Sequence, residues 1–162
     1  MPRIRPYAPG DWEDFIRLDL ETGAASIPAA SEDVLARFRS QWPESVRSKY
    51  CWTDNGPTAM GSRLFVLEGD DGQYAGHLWL TEQDDFFSGE RKLFVTTVAV
   101  DSRFRGRGWG RLLMMHACQL AREGHFSRLG LGVAAANTGA IRLYESLGFQ
   151  TVRLSMEAEL PK

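Results

Sequence analysis

The feature that most limits this chain is the stretch Arg105-Gly106-Arg107-Gly108-Trp109-Gly110. Before it, Lys92 to Val100 is rich in β-branched residues and reads as a buried strand. After it, Leu113, Ala117, Leu120 and Ala121 fall on one helical face. A chain that leaves a strand and enters a helix presents free backbone N–H groups at the helix start, where the helix dipole also favours an anion. Glycines let that backbone curl round a phosphate with no Cβ in the way. Arg103, Arg105, Arg107 and Arg111 surround the turn, and Asp101 is the one acid beside them. The planar guanidinium fork suits phosphate. No Gly-Lys-Ser/Thr ends the turn, so it is not a P-loop. A phosphate-bearing ligand and a plain surface turn with solvated arginines both satisfy this pattern taken alone.

The rest of the chain fills in around this junction. Ile4 and Tyr7 among prolines predict a short first strand. Asp11, three residues before Asp14, predicts a helix start of the capping-box type, followed by Trp12, Phe15, Ile16 and Leu20 at helical spacing. A second helix is predicted from Ser31, with Val34, Leu35, Phe38 and Trp42 on one stripe, disrupted at Pro43. Residues 45–62 read as a loop whose aromatics, Tyr50 and Trp52, pack on something. Leu64–Glu68 and Tyr74–Thr81 flank Gly69-Asp70-Asp71-Gly72 as a hairpin. Leu129, Leu131 and Val133 alternate with Gly130 and Gly132, a strand with one nearly bare face. Asn137 opens a helix with Ala140, Leu143, Tyr144 and Leu147 on its face, and Gly148 is placed to end it. A last strand is predicted from Phe149 to Glu159. The order mixes hairpin and crossover connections, an α/β pattern.

Composition narrows the class. The 162 residues suit one domain, 1–162, with 43% apolar and 25% charged residues, ordinary globular values. Nineteen basic against 21 acidic residues leave a net charge of −2, no chain-wide basic footprint for nucleic acid or membrane. Cys51 and Cys118 are too few and too far apart for a disulfide framework or a zinc knuckle. The opening lacks an apolar run of the secretory type, and no stretch is apolar enough to span a bilayer. A cytoplasmic protein without metal is the expectation. Gly130-x-Gly132-x-x-Ala135 matches a dinucleotide fingerprint on paper, but its glycines fall inside a strand and no carboxylate follows at the required distance.

The Arg105–Gly110 turn resembles the Arg/Gln-x-x-Gly-x-Gly/Ala signature of the GNAT superfamily of acyl-CoA-dependent N-acyltransferases. Asn137-x-x-Ala140-x-x-x-Tyr144-x-x-x-Gly148-Phe149 is similar to that superfamily's second conserved element, and the opening from Ile4 to Asp11 to its usual start. The resemblance implies a mixed, largely antiparallel central sheet, splayed at the cofactor site and flanked by helices. It implies acetyl-CoA as acyl donor, with its pantetheine arm on the backbone of Val98 and Val100. The diphosphate would lie on Arg105, Gly106, Arg107, Gly108, Trp109, Gly110 and Arg111. Asn137 would contact the pantetheine as well as cap its helix, and Tyr144 would be the general acid at the sulfur. Tyr144 also fits an apolar helix face, where aromatic residues are ordinarily core.

Acyl transfer to an amine needs a base, because at neutral pH only about one in a thousand alkyl amines of pKa near 10.4 is unprotonated. Many relatives in the resembled family place a carboxylate just before Val98-Ala99-Val100, where this chain has Thr96 and Thr97. His77, Glu82, Asp84, Asp85 or a water chain are the remaining candidates, and His77 has the fitting pKa. No cysteine has a visible His/Asp pair, so direct attack in a ternary complex is expected over an acyl-cysteine route. A small-molecule amine is the expected acceptor. A protein N-terminus or lysine, a non-catalytic acyl-CoA-binding role and, more weakly, DNA binding are the alternatives. Acceptor choice would reside in residues 21–62, Glu82, Asp84 and Asp85 with Phe86 and Phe87 could form an acceptor mouth, and exposed strand edges would allow a homodimer.

Overall fold

The computed structural model describes residues 1–27 and 31–160. In chain order the elements are β1 (Arg3–Pro6), α1 (Trp12–Ala25), α2 (Glu32–Lys49), β2 (Trp52–Thr53), β3 (Gly56–Pro57), β4 (Arg63–Glu68), β5 (Tyr74–Asp84), β6 (Arg91–Val100), α3 (Trp109–Glu123), β7 (Leu129–Leu131) and α4 (Thr138–Ser146). Five strands form one sheet in the order β1-β4-β5-β6-β7. Every pair in it is antiparallel except β6–β7, which runs parallel because α3 carries the chain back across the sheet. This is the mixed, largely antiparallel α/β architecture that the sequence implies.

Period-two alternation gives the sheet two apolar faces. Leu78, Leu80, Leu93 and Val95 meet Leu113, Met114, Ala117 and Ala121 of α3. Phe15, Leu18 and Val46 from α1 and α2 pack with Val66, Trp79 and Ala99 on the other face. Each fully buried large side chain contributes about 1.5–3 kcal/mol, so either face alone outweighs local propensity.

That balance explains Pro43. The sequence predicts that it disrupts the second helix, yet α2 runs through it. An interior proline costs about 3 kcal/mol or more. Trp42, just before it, donates its indole N–H to Asp19 at 2.5 Å, and Val46, just after it, is 1% exposed. These anchors on both sides hold the helix together. Residues 45–49 are therefore helical rather than loop, and the remainder forms the small β2–β3 hairpin. Its aromatics pack as expected: Trp52 sits 4.8 Å from Trp12 and 5.0 Å from Phe15, and Tyr50 sits 4.4 Å from Trp79.

Three other expectations change. Ser31 caps α2 as predicted, but Asp11 makes no side-chain cap on α1. Its carboxylate instead accepts from the Ala8 N–H at 2.7 Å and from Arg5 at 2.7 and 2.8 Å, because a bidentate guanidinium binds a carboxylate more strongly than one helix amide. β7 stops at Leu131, leaving Val133 outside the strand. The last strand is absent: residues 150–160 join no strand and are exposed throughout, with Arg153 alone held to Asp85. Among the described residues no helix is long and apolar enough to cross a membrane.

Candidate active site

The site begins with an irregularity in β6. Trp79 pairs with Thr97 but Leu80 pairs with Val95, so Thr96 is an extra residue, a β-bulge. On the other edge β6 pairs with β7 only through Leu93, Phe94 and Val95. Past Val95 the two strands part, and the backbone from Thr96 to Val100 has no strand beside it on that edge. The sheet opens at this place.

A cavity of about 310 Å3 occupies the opening. Val95–Val98 form one wall, Leu131–Ala134 another, Asn137 and Tyr144 close it from the α4 side, and Thr22 and Ser26 reach it from the end of α1. Tyr144 is half-buried and packs near Phe149, ring centroids 6.0 Å apart. Burial raises its phenol pKa, which keeps the hydroxyl protonated. Asn137 caps α4, its side-chain oxygen accepting from the Ala140 N–H at 3.2 Å. The capping role read from sequence is present, and the same side chain lines the cavity.

The glycine turn follows at the end of β6. Gly106 and Gly108 adopt φ of +76° and +78°, a region that L side chains rarely occupy, and a Cβ on either would meet nothing within 4 Å. Gly108 is the N-cap of α3 and supplies no side-chain cap, so no cap side chain takes up the first N–H groups of the helix. The arginines divide. Arg103 is held by Asp101 at 3.0 and 2.9 Å, and with Arg17 it keeps that carboxyl well below the usual carboxylate range. Arg105 reaches the Val100 carbonyl at 3.4 Å, Arg107 stacks over Phe104 and Trp109, and Arg111 holds Ser146 at 2.6 Å. No carboxylate holds any of these three among the described residues. Trp109 needs a correction: its indole is 8% exposed and stacks on Phe104, so only its backbone N–H is available to a ligand.

His77 also needs one. It is 0% exposed and does not line the cavity, so it cannot touch an acceptor directly. Its Nδ1 lies 2.9 Å from the Tyr74 hydroxyl, and its Nε2 lies 3.5 Å from Thr97 Oγ1 and 3.8 Å from Asp19 Oδ1. Thr97 stands between His77 and the cavity. Thr96 turns instead to Thr81, 2.9 Å away.

The acidic group before β6 lies apart from the cavity. Glu82 pairs with Arg63 at 3.1 Å and Arg91 at 3.0 Å. Asp85 accepts from the Phe87 and Ser88 N–H groups and meets Lys92 and Arg153. Neither these residues nor Phe86 and Phe87 line the opening, so the acceptor mouth expected from them is not part of this cavity. Thr22 and Ser26 are the lining residues that the sequence did not single out; a polar pair one turn apart at a helix end is too common a signal. Residues 28–30, within the stretch expected to choose the acceptor, lie outside the described residues. A second cavity of about 480 Å3 is lined by Tyr7, Trp12, Arg47 and Trp52 among others, and shares no residue with the opening.

A family model described as the acetyltransferase (GNAT) family matches residues 27–149. Streptothricin acetyltransferase of Streptomyces lavendulae is 36% identical over 88 residues, 54% of this chain and 44% of that protein. N-acetylaspartate synthetase of Danio rerio is 31% identical over 105 residues, 65% of this chain and 35% of that protein. The chain thus spans less than half the length of these two curated relatives. Among solved structures, a Pyrococcus furiosus protein described as a "putative acetyl transferase" superposes with a TM-score of 0.78 at 21% identity, covering 99% of this chain and 100% of that one. At that identity the likeness is one of fold.

Proposed function

The chain belongs to the GNAT acetyltransferase family, and on that premise we propose that it moves an acetyl group from acetyl-CoA to a primary amine of a small molecule, in the cytoplasm, by direct attack with both substrates bound. One convergence carries this: the backbone at Val98, which has no strand on its β7 edge, the Asn137 side chain and the Tyr144 phenol meet at a single cavity, and the same strand leads on into the glycine turn. Acetyl-CoA supplies the thioester. The N–H groups from Gly106 to Gly110 would take its diphosphate, with Arg105, Arg107 and Arg111 as guanidinium partners. Val98 and Val100 would pair with the pantetheine arm, the Val98 N–H also donating to the developing oxyanion. Tyr144, kept protonated by burial, would donate to the leaving thiolate.

For the amine proton we assign an indirect path. The Thr97 hydroxyl would accept it while passing its own proton to His77 Nε2, which Asp19 then stabilises as the cation. This requires the Nδ1–H tautomer, donating to the Tyr74 oxygen. A small acceptor suits the cavity, which is at the lower end of the roughly 300–1,000 Å3 range of small-ligand sites. The names streptothricin acetyltransferase and N-acetylaspartate synthetase also denote small acceptors.

The test is a panel of small amines and peptides with acetyl-CoA, scored by released thiol. Turnover with free amines supports the proposal. Turnover with peptides only would move the acceptor to protein, and thiol release with neither, despite acetyl-CoA binding, would leave a non-catalytic acyl-CoA-binding domain.

A further inference from the structure

Residues 150–160 have the pattern of a strand and no sheet. Val152, Leu154, Met156 and Leu160 alternate with Thr151, Arg153, Ser155 and the acidic Glu157 and Glu159. That is the period of a strand with one apolar face. Yet these four apolar side chains are 88%, 83%, 90% and 85% exposed. Among the described residues no main-chain hydrogen bond beyond the Phe149 N–H, which closes α4 on Tyr144, involves this segment. Phe86 and Phe87 add to the same surface, 86% and 79% exposed, and Arg153 lies over the Phe87 ring at 4.7 Å. An apolar row of this length, left in water, marks an interaction surface.

The molecule also carries a place for such a strand. β7 is the last strand of the sheet, paired on one side only, so its outer N–H and C=O groups face outward. We infer that the chain forms a two-fold dimer in which residues 150–160 of each copy add as a strand to the outer edge of β7 in the other. The donor and the acceptor edge reside in the same chain, so one two-fold operation satisfies both and closes the assembly. The segment's own body has not taken it up: Arg153 is fixed to Asp85 at 2.7 Å, and the apolar row beside it still faces solvent. Charge sets the direction. Antiparallel addition brings Glu157 and Glu159 to the start of β7, where the Arg128 side chain is 63% exposed and, among the described residues, meets only Glu90, at 3.4 Å. The partner's strand would then continue the sheet next to the wall formed by Leu131–Ala134.

The test uses the full chain in reducing buffer, combining sedimentation equilibrium with hydrogen exchange of the tail amides across a concentration series. A dimer is expected, with tail amides at least tenfold slower to exchange above its dissociation constant than below it. Leu154→Asp combined with Met156→Asp should give a monomer of unchanged far-UV spectrum. A monomer at every concentration overturns the inference. So does tail protection that does not depend on concentration, which would mean pairing with the chain's own edge, or a dimer that the two aspartates leave intact.

Discussion

The turn before β6 and the turn after it both carry charge and a left-handed glycine, but they differ in how their polar groups are satisfied. Each combines acidic and basic side chains with a glycine in the left-handed region that a Cβ would not crowd, Gly89 at φ +67° and Gly108 at φ +78°. In the first turn the central carboxylate, Asp85, is fully taken up by internal partners. The Asp85 N–H bonds to the Glu90 carbonyl at 2.8 Å, and the Asp85 carboxylate binds two amides, the Ser88 hydroxyl and two cations. In the second, the helix opens without a side-chain cap, and Arg105, Arg107 and Arg111 hold only a carbonyl, two rings and a hydroxyl. Charge in a loop is therefore no guide to function. The proposed role of the second turn rests instead on charge and backbone donors without internal partners.

The largest effect is expected at the cavity between β6, β7 and α4. Tyr144→Phe keeps the ring and removes the hydroxyl. Turnover should fall by about 10²–10⁴-fold with acetyl-CoA affinity little changed. A turnover within a few-fold of the parent would make Tyr144 a packing residue.

Next comes a paired glycine experiment. Gly108→Val and Gly89→Val both force a β-branched residue into the left-handed region, at a similar conformational cost. Only the first should weaken acetyl-CoA binding, by about tenfold or more, since loss of about 1.4 kcal/mol is already tenfold. Calorimetric titration reads the difference, with far-UV spectra as the check on folding. Equal affinities in the two variants would erase the distinction between the turns.

A change in the first turn should act on stability alone. Asp85→Asn removes the charge that organises its hairpin and should lower the melting midpoint by a few degrees. The triple change of Glu82, Asp84 and Asp85 to their amides should leave the Michaelis constant for a cationic amine unchanged at every salt concentration. A raised constant would restore these residues to the acceptor's path.

The smallest effect is in pH. Asp85 is held below the usual carboxylate range, first by the Ser88 amide, and Asp101 likewise, first by Arg103. For a carboxyl depressed on folding, the stabilisation is complete above the unfolded pKa, about 3.9, and is lost as pH falls through the lower folded value. Melting midpoints should therefore be flat from pH 7 to about 5 and decline below about 4. In Asp85→Asn the decline should be shallower.

Much of this was legible in residue order because its causes are local. The period of the β6 residues, the glycines of the turn, the Asn137 cap and the α4 face all act within a few positions, and each element stands where its pattern put it. The β6 bulge and the continuity of α2 through Pro43 were not legible. Both depend on packing against distant segments, α2 on Asp19 in another helix and β6 on its register with β5. The predicted last strand had the right period but no partner within the chain.

The sequence by itself determined that a strand would run through an uncapped, arginine-rich turn into a helix, and that a second helix would carry Asn137 and Tyr144. Those follow from backbone sterics and side-chain period, which neighbours in sequence settle. Only the tertiary structure decided which charges are spoken for and which residues line the opening. Asp85 meets Arg153 across 68 positions, and Arg17 meets Asp101 across 84. Thr97 screens a buried His77 from the cavity, while Thr22 and Ser26 arrive from α1. A polar group is satisfied by whatever lies within about 3 Å of it, and distance along the chain carries no information about that.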